Sequence, residues 1–213
     1  MPNFRVVFSK DDVLIYISHL DLNHTFIRAL NRADVELKYS EGFNPHPKLV
    51  FALPLSVGMA GENEILDIGV ADESMSAEKL SRILKSQLPP HITVKEVYEV
   101  DRKLKDIKSA LYTVVISKTG IKERLEQLLS DDIRVVKKTK GGEKEISISS
   151  QIISATCTEN GERTVISAEL CASPDSYLNP ELILRAAKDK GIISDNDPYT
   201  VTRQKILFGG DNH

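Results

Sequence analysis

The sequence predicts an α+β fold of two tandem units, each running strand-helix-strand-strand-helix-strand with antiparallel sheets. Three observations carry this reading. The first half holds β-rich segments and amphipathic helices in that order. The same order returns after a charged connector, Asp101 to Lys108, with an extra strand. The 213 residues are comfortable for two domains of about 100 residues each. The boundaries fall at 1–100 and 109–213.

In the first unit, Phe4-Arg-Val-Val-Phe8 alternates and is rich in strand formers. Lys10-Asp11-Asp12 turns the chain, and Val13 to Ile17 is expected to extend it again. Ser18 opens a helix, with Asp21 three residues on in a capping-box pattern. Leu22, Phe26, Ala29, Leu30 and Ala33 form its apolar stripe. Asp21, His24, Arg28 and Arg32 follow one another on a different face. Short strands are expected near Leu37–Tyr39 and over Leu49–Leu53, then a longer one over Glu64–Val70. Ser76 caps a helix striped by Leu80, Ile83, Leu84 and Leu88, and Pro89-Pro90 stops it. Ile92–Tyr98 is the last strand.

The second unit repeats the plan. Leu111–Ile116 is a strand and Gly120–Leu129 a helix with Ile121, Leu125, Leu128 and Leu129 inward. Ile133–Val136, Ile146–Ile153 and Thr164–Leu170 read as strands, the last two joined through Glu159-Asn-Gly161. Asn179 caps a helix whose first position is Pro180. Tyr199–Leu207 closes the unit. This order is the ferredoxin-like, split βαβ arrangement.

Between the Leu37 and Leu49 strands lies Tyr39-Ser-Glu-Gly-Phe-Asn-Pro-His-Pro-Lys48. Pro45 and Pro47 fix φ and push Asn44 and His46 towards extended backbone, while Gly42 permits positive φ beside Phe43. A chain that only turns a corner needs two residues such as Asn-Gly. This loop is longer and carries groups that bond or stack, the usual setting for binding.

Bulk properties narrow the classes. Hydrophobic residues make up 41% and charged residues 28%, ordinary for a soluble globular protein. No apolar run has a membrane-spanning length, and the N-terminus lacks an apolar signal core, so a cytoplasmic protein is expected. Cys157 and Cys171 are too few and too far apart for a metal knuckle and read as small buried hydrophobes. The net charge of −3 excludes a uniformly basic coat. Residues 102–149 nevertheless hold twelve Lys and Arg against seven Asp and Glu, including Lys137-Lys138-Thr-Lys140 beside Gly141-Gly142, which reads as a solvated hairpin tip.

Ser18-His-Leu-Asp-Leu22, Arg28-Ala-Leu30, and the 39–48 loop followed by Phe51-Ala-Leu-Pro-Leu55 resemble a bacterial radical-SAM-associated domain family of unknown function. Its members are fused to, or encoded beside, radical SAM proteins with a B12-binding-type region. The likeness is dense over residues 4–70, centres on Gly42-Phe-Asn-Pro-His-Pro47, and thins beyond. His24 departs from it, standing where the family is associated with arginine. The resemblance implies a neighbour and no activity. The chain has no Cys-x3-Cys-x2-Cys cluster, so a radical SAM iron–sulfur centre would belong to a partner. The layout also resembles, more loosely, the ferredoxin-like RNA endonucleases that process CRISPR repeats.

Three functions follow as expectations. In the first, the chain is a non-catalytic module for tRNA or rRNA, acting with a radical SAM modification enzyme. Tyr39 and Phe43 would stack on bases, Asn44 and His46 would bond base edges, and Lys48, Arg28 and Arg32 would meet phosphates. The bland alternative packs Tyr39 and Phe43 under the loop and bonds His46 to a backbone carbonyl. In the second, the chain docks the radical SAM protein itself. In the third it is a small metal-independent ribonuclease, with His19 or His46 as acid–base candidates and Lys48 and Arg28 stabilising phosphate charge. No metal site is expected, because His19 and His24 lie five apart, about 140° around a helix. No cofactor and no membrane partner are expected, and the sequence does not specify an oligomeric state.

Overall fold

The computed structural model describes residues 2–139 and 142–211, without the side chains of 137–139. The chain is mixed α+β and divides into two compact units, Met1–Leu104 and Lys105–His213. No helix among the described residues is long and apolar enough to cross a membrane.

The first unit contains β1 (Asn3–Lys10), α1 (His19–Arg32), β2 (Leu49–Phe51), β3 (Met59–Gly69), α2 (Ala77–Gln87) and β4 (Ile92–Glu99). β1 pairs antiparallel with both β3 and β4, and β2 pairs antiparallel with β3, giving the order β4-β1-β3-β2. Alternation sets the faces. Phe4, Val6 and Phe8 of β1 and Leu66 and Ile68 of β3 point one way and are buried against Leu22, Phe26 and Leu30 of α1 and Leu80 and Leu84 of α2. Burying each such side chain stabilises by about 1.5–3 kcal/mol. Phe51 joins from β2, its ring edge-on to Phe8 and Phe26 at 6.2 and 5.8 Å between centroids.

The opposite face carries charge. Arg5, 1% exposed, stands in register with Asp67 and donates to its carboxylate at 2.7 and 2.9 Å and to the Arg102 carbonyl at 2.7 Å. Burial opposes the charge on Arg5, yet hydrogen bonding to Asp67 holds its pKa above the ordinary value.

Two expectations for this unit are corrected. Val13–Ile17 is not a strand. Asp12 turns the backbone with φ 48°, the Leu14 N–H bonds back to Asp11 O at 3.2 Å, and Asp12–Tyr16 is a 3-10 turn. Both edges of β1 are already taken, so an extended segment there has no ladder to join. Leu37–Tyr39 forms only isolated bridges, Leu37 to Val70 and Tyr39 to Pro47.

The second unit holds β5 (Ile107–Ile116), α3 (Lys122–Ser130), β6 (Arg134–Thr139), β7 (Gly142–Ser147), β8 (Ile152–Asn160), β9 (Arg163–Ser173), β10 (Ser176–Tyr177), α4 (Glu181–Asp189) and β11 (Tyr199–Phe208). β5 lies between β9 and β11, and β8 extends the sheet beyond β9, all antiparallel. β6 and β7 form a separate hairpin. Ile146–Ile153 is therefore two strands and not one. β7 ends at Ser147, and fully buried Ile148 takes a helical backbone conformation before the 3-10 turn Ser149–Gln151. α4 starts one residue later than expected, with Pro180 at its N-cap, and Asn179 Oδ1 accepts the Glu181 N–H at 3.0 Å from just before it. Cys157 is buried and Cys171 half-buried, and neither is in a disulfide.

Candidate functional site

Ser18 follows Ile17, the C-cap of the 3-10 turn, and is the N-cap of α1. Its Oγ accepts the Asp21 N–H at 3.1 Å and donates to Asp21 Oδ2 at 2.7 Å. Aspartate is one methylene shorter than the usual glutamate and closes the cap on the hydroxyl. His19, at the first position of α1, is exposed, and its ring lies edge-on to Phe51 at 4.9 Å.

The 39–48 loop is a narrow hairpin. Lys48 N–H donates to Lys38 O at 2.7 Å, Tyr39 bridges Pro47, and Ser40 N–H donates to His46 O at 2.9 Å. These rungs pair 38 with 48, 39 with 47 and 40 with 46, leaving Glu41–Pro45 as the tip. Gly42 takes φ 120°, the conformation for which glycine was expected. Side chains lock the neck. His46 N–H donates to Ser40 Oγ at 3.1 Å, and His46 Nδ1 lies 3.0 Å from Ser40 Oγ and 3.3 Å from Asn44 O. The bond to a backbone carbonyl thus exists, but it engages one ring nitrogen only. Phe43 is fully exposed at the tip and does not pack under the loop, while Tyr39 is 53% exposed. Asn44, His46 and Lys48 are exposed as well.

Alternation again assigns faces. Leu49 and Phe51 pack into the helix-side core, so His46, Lys48 and Val50 lie on the other face of the sheet. Arg28 and His19 belong to α1 on the helix side. The structure therefore puts His46 and Lys48 on one face of the sheet, while His19 and Arg28 sit on α1, which packs against the other. Arg32 is committed elsewhere, its guanidinium donating to Gln87 Oε1 at 3.2 Å and Gln87 O at 2.5 Å, which ties α1 to the end of α2. Arg28 and His24 remain exposed on α1. Among the described residues, no three His, Cys, Asp or Glu side chains are placed to hold a metal ion.

Sequence reasoning missed Lys38 and Gly69. A Cβ at Gly69 would stand 3.1 Å from Lys38 Cβ and 3.3 Å from Lys48 Cβ, so both lysine stems rise over this glycine. The signal was available in the hairpin count, since a rung at Tyr39–Pro47 places 38 opposite 48. It also missed Val13, Tyr16, Leu20 and Val57, all exposed. The Gly58 N–H bond to Ile15 O at 2.8 Å brings Val57 beside the 3-10 turn that bears Val13 and Tyr16. The basic hairpin of the second unit falls partly outside the described residues. The backbones of Lys137 and Lys138 pair with Lys144 and Glu143, while Lys140 and Gly141 lie outside.

A family model described as "Uncharacterized protein conserved in bacteria (DUF2344)" matches residues 3–180. No curated protein matches the chain. Among solved structures, the crystal structure of an unknown protein from Galdieria sulphuraria is similar over 95% of this chain and 98% of its own, at 11% identity and a TM-score of 0.29. That score carries no argument about fold or function.

Proposed function

The chain belongs to this family of uncharacterized proteins conserved in bacteria, and we propose that it is a non-catalytic module for single-stranded RNA, such as a tRNA or rRNA loop. We read it as the accessory partner of a radical SAM enzyme that modifies that RNA. The association with radical SAM chemistry rests on the resemblance of the 18–55 motifs. The two units are read as tandem ferredoxin-like folds, a reading supported by the strand orders β4-β1-β3-β2 and β8-β9-β5-β11.

One observation carries the RNA reading: a fully exposed Phe43 on a hairpin whose neck is locked by Ser40 and His46. An aromatic ring held in water on a stiff support loses little entropy when a base stacks on it. His46, with Nδ1 engaged in the neck, presents Nε2 for a base edge or phosphate, and Lys48 supplies charge on the same face. The test is titration with a short unstructured RNA in chelator at low and moderate salt. Binding should weaken steeply with salt, the RNA should stay intact, and Phe43→Ala should cost about 5- to 150-fold in affinity, the equivalent of about 1–3 kcal/mol of stacking. Wild type that fails to bind at low salt refutes the proposal, and cleavage in chelator would favour the ribonuclease instead.

A second reading, docking of the radical SAM protein, is favoured by the exposed Val13, Tyr16, Leu20 and Val57, which leave apolar area in water near the start of α1. It predicts salt-tolerant association with that protein, lost in Tyr16→Ser/Leu20→Ser and retained in Phe43→Ala.

A further inference from the structure

Three segments meet at Gly69. Lys38 N–H donates to Gly69 O at 2.9 Å, Gly69 N–H donates to Lys48 O at 2.9 Å, and Lys48 N–H donates to Lys38 O at 2.7 Å. The three bonds close a ring that fixes the two lysine backbones against the glycine. The stems then crowd over one spot, with Lys38 Cδ 3.2 Å and Lys48 Cβ 3.3 Å from where a Gly69 Cβ would be. Like charges rooted on directly opposed residues destabilise a strand pair. This arrangement roots both lysine stems over one residue, and Gly69, having no side chain, leaves room for them. Lys38 Nζ lies 3.3 Å from Asn3 Oδ1 and 3.4 Å from Pro2 O. Asp67, the carboxylate of β3 on this face, is held by Arg5 through two bonds.

We propose that Lys38 and Lys48 form a single phosphate seat over Gly69, taking one backbone phosphate of the RNA strand whose base stacks on Phe43. This rests on the RNA reading above and adds to it a residue, Lys38, and a stoichiometry. From stems rooted this close, both ammonium groups can reach one anion, which would offset the repulsion between them. The seat lies five residues from Phe43, roughly 16 Å at most along an extended arm, a span of several nucleotides. His46 lies between the seat and the tip on the same face, next to the path of the strand.

The experiment measures affinity for a short unstructured RNA across a salt series for wild type, Phe43→Ala and Lys38→Gln/Lys48→Gln. Glutamine keeps most of each stem and leaves the backbone ring in place. One seated phosphate on a single strand predicts that the double variant flattens the slope of log affinity against log salt by about 0.7. On a fourfold rise in salt it should therefore lose about 2.6-fold less affinity than wild type. Phe43→Ala should bind more weakly with the wild-type slope. A double variant with an unchanged slope, in a wild type that binds, overturns the seat and leaves the RNA reading standing. A change near 1.4 means two separate phosphates and also overturns it. No binding by wild type overturns both.

Discussion

Gly69→Ala tests whether the junction is as tight as it looks. Gly69 does not have positive φ, so alanine fits the backbone, and by chain entropy alone the change would stabilise by about 0.4–1 kcal/mol. Against this stands the new methyl group, 3.1–3.3 Å from three lysine carbons. Two of these are Cβ atoms rooted in backbone that the hydrogen-bond ring holds, so they cannot swing away as the far end of a side chain would. Overpacking of this kind costs about 1–3 kcal/mol. The midpoints of the two ranges leave a net loss of about 1.3 kcal/mol, and each 1 kcal/mol lowers the midpoint of a unit this size by about 4–8 °C. Thermal and denaturant unfolding would measure it, with faster amide exchange at Lys38 and Lys48 as the local sign. A variant as stable as wild type, or more so, would show that the stems yield freely and would remove the steric basis of the junction.

Asp67→Asn should destabilise the first unit by about 2–4 kcal/mol in urea unfolding, because it leaves the buried Arg5 guanidinium without its counter-charge. Ser40→Ala should leave global stability nearly unchanged but raise amide exchange at His46, whose N–H loses its acceptor. Burial pushes the Cys157 thiol up to about 11, so at pH 8 it stays protonated and should resist alkylation in the folded protein, Cys171 reacting first. Hydrogen bonds from Lys118 and the Ser194 N–H hold Asp197 below the usual carboxylate range. A depressed carboxylate stabilises the fold above its unfolded pKa of about 3.9 and loses that contribution as pH falls through the folded value. Asp197→Asn should accordingly flatten the acid limb of the stability profile below about pH 4, read by circular dichroism.

Much of the first unit was legible because its signals are local. Ser18 with Asp21 marks the start of α1, and the stripe of Leu22, Phe26 and Leu30 names its buried face. The prolines flanking His46 announce a stiff segment without showing where it points. That depends on which neighbour Leu49 and Phe51 bury against, a long-range fact. Arg32 illustrates the limit. On the helix it follows Arg28 at i+4 and reads as part of a basic stripe, while its bonding partner, Gln87, is 55 residues away. Val13–Ile17 and Ile146–Ile153 were misread for a common reason. Runs rich in β-branched residues score as strands, but a strand also needs a free edge, and buried Ile148 or a positive φ at Asp12 takes the chain elsewhere.

The backbone ring at Gly69 has a consequence for how this protein could be altered. The hairpin makes its own rungs and is anchored to β3 through that ring, so Glu41–Pro45 is an insert on a fixed mount. Doubling the length of such a tip costs only about 0.6 kcal/mol in closure entropy. Its chemistry can therefore be exchanged by grafting other short sequences between Ser40 and His46 without re-engineering the sheet beneath. If the loop binds RNA as proposed, its base preference would change by cassette while the lysines and the glycine stayed in place.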